Sequence, residues 1–270
     1  IVLSFKIHKK ELFIMKLLKM LLIPLFMTFF VLTGCDINLD DYIDSSQKNT
    51  QTKNSPYHTE IKQEPLDYKK TKQIKLAPLD DIDRPQDAHV QLKYTDKPRA
   101  SREPRLNYNP PGWHNYRFTY KKDTGSIGKY WAFDRTHLVG YLFSGLNDEP
   151  KNLIMGTTHL NRGSYNGMDQ SNKNSMLYYE MNLNNWLKEN PDYTLDYQVT
   201  PLYRNDELVP RQVRLAYTGY TNKGEQVPIN FGSPHEQKGN HATVVLLDNK
   251  APNVSINYDT GIAKQTHKLK

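Results

Sequence analysis

Between residues 130 and 189 the side-chain pattern changes period in a fixed order, and that order narrows the folds open to this chain. Residues 130–141 mix aromatic and β-branched side chains in the manner of a strand, and 152–157 form a second short apolar run, Asn-Leu-Ile-Met-Gly-Thr. From about Leu160 the spacing turns helical, and residues 175–189 carry Met176, Leu177, Tyr179, Leu183, Trp186 and Leu187 near helical spacing. Asn190-Pro191 ends that helix. Residues 193–202 and 212–220 then alternate as strands, and Lys223-Gly224 reads as a turn before a strand over 227–231. Strand, strand, helix and further antiparallel strands predict an α+β domain with a central antiparallel sheet flanked by helices. No internal repeat is visible.

The first of these strands carries Phe133-Asp134-Arg135-Thr136-His137-Leu138, and Asn161 follows 24 residues after the histidine in Leu160-Asn161-Arg162-Gly163. Hydrolysis of a phosphodiester at neutral pH needs a deprotonated water, neutralised phosphoryl oxygens and a stabilised leaving oxygen. Histidine titrates near physiological pH and can take the proton. A hard cation takes oxygen ligands and keeps most of its waters, so one amide oxygen together with phosphate can hold it. Arginine offers a planar fork that matches phosphate oxygens. His137, Asn161 and Arg135 can fill these three roles.

Other signals point elsewhere or nowhere. His159 lies two positions before Asn161, but a transition-metal site wants several His, Cys or carboxylate side chains converging, so His159 reads as a structural histidine. Trp113-His114 reads as a packing and hydrogen-bonding pair. The chain has no Gly-rich nucleotide loop and no Gly-x-Ser-x-Gly elbow. Its one cysteine, Cys35, stands far from these blocks.

Five ordered blocks carry a resemblance: Pro111-Gly112-Trp113-His114; Asp134-Arg135-Thr136-His137-Leu138 with Gly140-Tyr141; Pro150-Lys151-Asn152-Leu153; Asn161; and Tyr178-Tyr179-Glu180. Together they resemble the DNA/RNA non-specific endonucleases of the ββα-metal (His-Me finger) class, closest to streptococcal-type extracellular and membrane-attached DNases, over roughly residues 80–262. The resemblance implies a ββα-metal nuclease fold and a metal-dependent endonuclease that cuts DNA, or RNA, with little sequence specificity and leaves 5′-phosphate ends. It implies His137 as general base, Asn161 as the direct metal ligand and Arg135 as a phosphate contact. Asn152 is expected to hold the site's geometry and polarise nearby groups, and Glu180 to hold metal-bound waters, with Mg²⁺ the expected ion and Mn²⁺ an alternative. An arginine upstream of the Trp-His block is expected to meet phosphate; Arg102 and Arg105 both qualify, and Arg105 is preferred. The family pattern has glycine where this chain has Thr136, a change that matters if the position needs positive φ.

The start of the chain predicts export. Lys16 and Lys19 precede an apolar run over residues 20–32 that ends in Leu32-Thr33-Gly34-Cys35. A basic start, a short apolar core and small residues at its end describe a signal peptide over residues 1–35, and residues 1–14 read as sequence upstream of the start at Met15. Leu-Thr-Gly-Cys resembles a bacterial lipobox, with Cys35 the lipidated residue and the extracellular face of the cell membrane the destination; an ordinary cleaved signal with an incidental cysteine, and a secreted product, is the alternative. Residues 36–75 are polar and poor in apolar side chains, which predicts a disordered tether. Residues 76–270 are expected to form the nuclease domain. One cysteine cannot close an internal disulfide, so this domain must rest on its apolar core.

Charge distribution says more than net charge. Residues 1–35 hold five lysines and one glutamate, which is +4 of the chain's +7, so the exported part carries only +3. Between Lys97 and Arg135, however, nine Lys or Arg face three Asp or Glu. A basic strip running into the proposed site suits a phosphate polymer. A non-catalytic surface lipoprotein that binds DNA through the same strip is the competing reading, and a phosphodiesterase for small substrates would require a closed pocket. No obligate protein partner is indicated.

Overall fold

The computed structural model describes residues 61–121 and 125–267. The strands are β1 (Gln73–Leu76), β2 (Ala88–Leu92), β3 (Arg117–Lys121), β4 (Ile127–Trp131), β5 (Phe133–His137), β6 (Leu153–Thr157), β7 (Thr194–Leu202), β8 (Gln212–Tyr220), β9 (Gln226–Val227), β10 (Glu236–Lys238), β11 (Thr243–Asp248), β12 (Val254–Ile256) and β13 (Ala263–Gln265). Three helices, α1 (Tyr141–Ser144), α2 (Thr158–Arg162) and α3 (Met176–Glu189), lie among them. The main sheet is antiparallel, in the order β1-β2-β7-β8-β11-β10 with β9 paired to β8. The pairs β3–β4, β5–β6 and β12–β13 stand apart as two-stranded ribbons.

Side-chain alternation decides what covers each face of the main sheet. One face carries Val90, Leu195, Tyr197, Val199, Val213, Leu215 and Tyr217, and these share a core with Met176, Tyr179, Leu183 and Leu187 of α3. Ser175 caps α3, its hydroxyl accepting from the Tyr178 amide at 3.3 Å. The opposite face carries His89, Gln91, Asp196 and Gln198, which are buried and polar. These residues find partners in the chain that crosses them. Asp196 accepts from the Leu66 amide and from Gln91, His89 bonds Asp196 at 2.6 Å, and Gln198 donates to the Lys62 carbonyl. These bonds pair most of the buried polar atoms on this face, while Gln198 Oε1 stays buried without a partner.

This crossing segment revises the expected tether. Residues 61–75, assigned to it by composition, are part of the folded domain: Leu66 is buried and β1 adds an edge strand beside β2. Their composition is polar because the face they cover is polar. Residues 1–60, including the expected signal peptide and Cys35, lie outside the described residues.

The predicted succession over 130–189 is present, with β5, β6, α2 and α3 in that order. Its first element is divided, because β4 ends at Trp131 and β5 begins at Phe133. Of the strand expected over 227–231, only Val227 is in strand, as the end of β9. Gly224, with φ +84°, does make the predicted turn. A second, smaller core of Ala132, Phe133, Met155, Val209 and Ala263 lies beside the ribbons.

Candidate active site

The ribbon β5–β6 and the helix after it present the predicted residues. Register pairs Arg135 with Met155 and His137 with Leu153, and the strand period puts Arg135 and His137 on one face. Thr136 is fully buried in extended strand, so its position does not need positive φ. The room for its side chain comes from the partner strand, since a Cβ added to Gly156 would lie 2.4 Å from Thr136 Oγ1. The threonine thus fills space that Gly156 leaves open.

His137 is 7 % exposed, and its Nε2 lies 2.7 Å from the Asn147 carbonyl oxygen. A carbonyl only accepts, so Nε2 carries the hydrogen and the neutral ring keeps Nδ1 as its basic atom. Burial lowers its pKa to about 4, with the positive charge of Arg102 adding to the effect, while the Asn147 bond and Asp148 act the other way. The ring is therefore a neutral acceptor across the physiological range.

Asn161 lies on α2, a single turn begun by the Thr157 hydroxyl, which accepts from Leu160 N at 3.1 Å. The turn ends at Gly163, whose φ of +75° suits glycine, and where a Cβ would meet the Asp169 carbonyl at 2.4 Å. Asn161 Nδ2 donates to Asp134 Oδ2 at 2.9 Å. A carboxylate accepts only, so this bond fixes the amide and leaves Oδ1 as its free end. Asp134 also receives Arg162, through Nε at 2.8 Å and Nη2 at 3.2 Å. Arg135 is held in a similar way, with Nε and Nη2 on Asn109 Oδ1 at 3.0 and 2.6 Å and its guanidinium 4.7 Å from the Trp113 ring centre.

A groove of about 460 Å³ joins these groups, lined by Arg102, Arg105, Trp113, Trp131, Asp134, Arg135, Asn161 and Arg162 among others. The structure thus brings Arg102, Arg105, Arg135 and Asn161 together, with His137 close enough to Arg102 to feel its charge. Asn152, just before β6, and Glu180, on α3, lie outside this lining and bond to the turn that follows His137. Asn152 is fully buried, accepts from Val139 N at 2.9 Å and donates to Val139 O at 3.0 Å. Both ends of its amide are thereby used, which makes it a positioning residue rather than a group that meets substrate. Glu180 accepts from Gly140 N at 2.8 Å, and a Cβ on Gly140 would lie 2.6 Å from its carboxylate. Although Glu180 keeps a partly accessible edge, its carboxyl sits deep among protein atoms, and burial pushes its pKa up to about 7 against the lowering effect of the Gly140 bond.

Four supporting residues were not legible in the motif: Asp134 as the holder of Asn161 and Arg162, Arg162 itself, Asn109, and Asn147. Asp134 and Arg162 stand beside Arg135 and Asn161 in the sequence, yet nothing local signals that residues 28 apart form an ion pair. Trp113 and His114 have separate partners, Arg135 and Tyr116 respectively. His159, two residues from Asn161, points from the other side of α2 into a different cavity and packs near Tyr165.

The donor set fits a hard cation. Among the described residues no three His, Cys, Asp or Glu side chains converge into a metal cage. An oriented amide oxygen beside an arginine-lined groove matches an ion that keeps most of its waters.

An antiparallel ribbon feeding a short helix, with histidine on the ribbon and asparagine on the helix, is the core of the ββα-metal nucleases. Residues 65–174 match the family model of DNA/RNA non-specific endonucleases. Among solved structures, an extracellular endonuclease is 36 % identical with a TM-score of 0.62, covering 75 % of this chain and 91 % of that one. An extracellular nuclease is 34 % identical with a TM-score of 0.62, over 76 % and 99 % of the two chains. NucA from Streptococcus agalactiae, with a magnesium ion bound, shares the fold at 22 % identity and a TM-score of 0.53, over 77 % and 83 %. No curated protein matches in sequence. The chain belongs to the DNA/RNA non-specific endonuclease family, and it is a hydrolase of nucleic acids.

Proposed function

We propose that this protein is an extracellular, metal-dependent endonuclease that cuts DNA, and RNA where it meets it, by the backbone and without reading sequence. The supporting observation is the bond from His137 Nε2 to the Asn147 carbonyl, which leaves Nδ1 as a neutral acceptor on a ring that feels the charge of Arg102, one of the arginines lining the groove. His137 takes a proton from water, the water oxygen bonds to phosphorus, the P–O3′ bond breaks and O3′ takes a proton from a solvent water, giving a 5′-phosphate and a 3′-hydroxyl. Arg135, Arg105 and Arg102 hold phosphate oxygens, and phosphate contacts position a strand without specifying its bases. Asn161 Oδ1 would hold a divalent cation, Mg²⁺ or Mn²⁺, which when bound supplies charge neutralisation at the scissile phosphate and leaving oxygen. Glu180 and Asn152 fix the turn after His137, and Glu180 would hold metal-bound water.

The open, basic groove favours a polymer over a small phosphodiester. Export and a lipid anchor on Cys35 rest on the Leu-Thr-Gly-Cys segment, and the two extracellular nucleases of similar sequence are in keeping with that location.

The test is plasmid cleavage by the full-length chain with Mg²⁺ or with EDTA, beside His137→Ala and Asn161→Ala. Nicking that needs the metal and fails in both variants is expected. Undiminished cleavage by His137→Ala would remove it as the base, and absence of cleavage by the unaltered chain alongside salt-sensitive DNA binding would favour the non-catalytic lipoprotein. Mass spectrometry of the membrane fraction, with Cys35→Ala as control, tests the anchor.

A further inference from the structure

The ribbon β3–β4 is not used by the chemistry above, yet its last residue, Trp131, lines the same groove. Its register is Arg117↔Trp131, Phe118↔Tyr130, Thr119↔Lys129, Tyr120↔Gly128 and Lys121↔Ile127. Alternation therefore sorts its side chains into two faces. The inner face holds Phe118, Tyr120 and Tyr130. Tyr120 stacks on Tyr165, in the loop after α2, with ring centres 4.1 Å apart, and the Tyr165 hydroxyl donates to the Lys121 carbonyl at 2.5 Å. These contacts fasten the ribbon to the segment that carries Asn161.

The outer face holds Arg117, Lys121, Lys129, Ile127 and Trp131. Trp131 is 46 % exposed, and it lines the groove with Arg135 and Asn161. The Arg117 guanidinium lies 5.3 Å from its ring centre and donates to the Lys129 carbonyl at 3.0 Å, which braces the indole. A large aromatic left open to water beside a reaction site gains nothing for the core. Cations along a strand with an exposed ring among them are what a polyanion with aromatic bases engages, because every base has a face to stack while phosphates meet the cations.

We propose that Trp131 is a nucleobase-stacking platform next to the scissile phosphate, and that the outer face of β3–β4 guides the adjoining backbone. The preferred substrate is then a strand with a base free to leave its own stack: single-stranded nucleic acid, or a frayed or nicked duplex. This inference rests on the nuclease reading and deepens it.

The test is kcat/KM of the full-length chain with Mg²⁺ on short single-stranded oligonucleotides, intact or with one abasic nucleotide stepped along the sequence, for the unaltered chain, Trp131→Ala and Trp131→Phe. At one position next to the cut, the abasic lesion is expected to cost the unaltered enzyme about tenfold, within the range of base–aromatic stacking. Trp131→Ala should lose about the same on the intact strand and nothing further from that lesion, and Trp131→Phe should recover most of the loss. Losses that multiply, or a Trp131→Ala enzyme equal to the unaltered one on intact strands, would overturn the stacking role while leaving the nuclease standing. Failure of the unaltered chain to cleave any intact oligonucleotide while it still cleaves plasmid would overturn this inference alone, and failure on both substrates would sink the nuclease reading and this inference with it.

Discussion

The ribbons β3–β4 and β5–β6 follow one another with only Ala132 between them, and each lends side chains to one groove, Trp131 from β4 and Phe133, Asp134 and Arg135 from β5. They differ in how those side chains are held. On β5–β6 and the helix α2 that follows, each chemical group is held by a hydrogen bond: His137 to the Asn147 carbonyl, Arg135 to Asn109, and the Asn161 amide to Asp134. On β3–β4 the inner face is packed and the outer face is open to solvent. Bond-breaking requires a base and a ligand within a narrow geometry, so their freedom is removed in advance. Holding a polymer of varied sequence tolerates looser contacts, and long flexible cations serve it well.

Substitutions should therefore separate the two ribbons by size and kind of effect. The largest is expected from His137→Ala on β5, a loss of about 10²–10⁴-fold in kcat with the melting temperature preserved. A loss confined to KM would place the histidine in binding instead. Next comes Asp134→Ala, which frees both the Asn161 amide and Arg162. We expect about 10–100-fold lower activity and a higher Mg²⁺ concentration at half-maximal rate, as for other residues that orient a ligand. An unchanged Mg²⁺ requirement would show that the amide holds its orientation without the carboxylate.

The pH response of β5 follows from burial. An ordinary imidazole titrates near 6.5 and His137 near 4, so between these values the unfolded chain binds a proton that the folded one does not. Stability at this site is thus complete above about 6.5 and is lost as pH falls through that window, by on the order of 3 kcal/mol below about 4. His137→Asn should flatten that part of the melting-temperature profile. The same burial places the acid limb of kcat/KM nearer pH 4 than pH 6.5, and a limb at 6.5 would mean that the base is solvated during turnover.

Packing offers a sharper probe of the same ribbon. Gly156→Ala should push against Thr136 and destabilise by about 1–3 kcal/mol, and adding Thr136→Gly should recover most of it. Additive losses in thermal melts would show that the two positions do not share space. The smallest effect belongs to β3–β4: Lys129→Ala should raise KM about two- to threefold at low salt, and the difference should vanish as ionic strength screens the contact. A change in kcat there would erase the distinction between the ribbons.

Much of the fold was legible because periodic burial writes itself into sequence. The α3 stripe of Met176, Tyr179, Leu183 and Leu187, and strands β6 to β8, were read within a residue or two of their observed limits. Strand β2, Ala-His-Val-Gln-Leu, was missed because it is buried on both faces, one of them polar. Its histidine and glutamine look like loop residues until Asp196 and the Leu66 backbone appear as partners. Residues 61–75 were placed in a tether for the same reason.

The sequence by itself determined the order of elements from β5 to β8 and the residues able to act as base, ligand and phosphate contacts, since these depend on period and on side-chain chemistry. Only the tertiary structure decided which nitrogen of His137 is basic, which end of Asn161 is free, and that Asn152 and Glu180 act on the turn at residues 139–140. Each of those choices is made by a partner distant in sequence, with Asn147, Asp134 and Gly140 lying 10, 27 and 40 residues from the groups they fix. A hydrogen bond's direction is set by its partner, and folding alone chooses that partner.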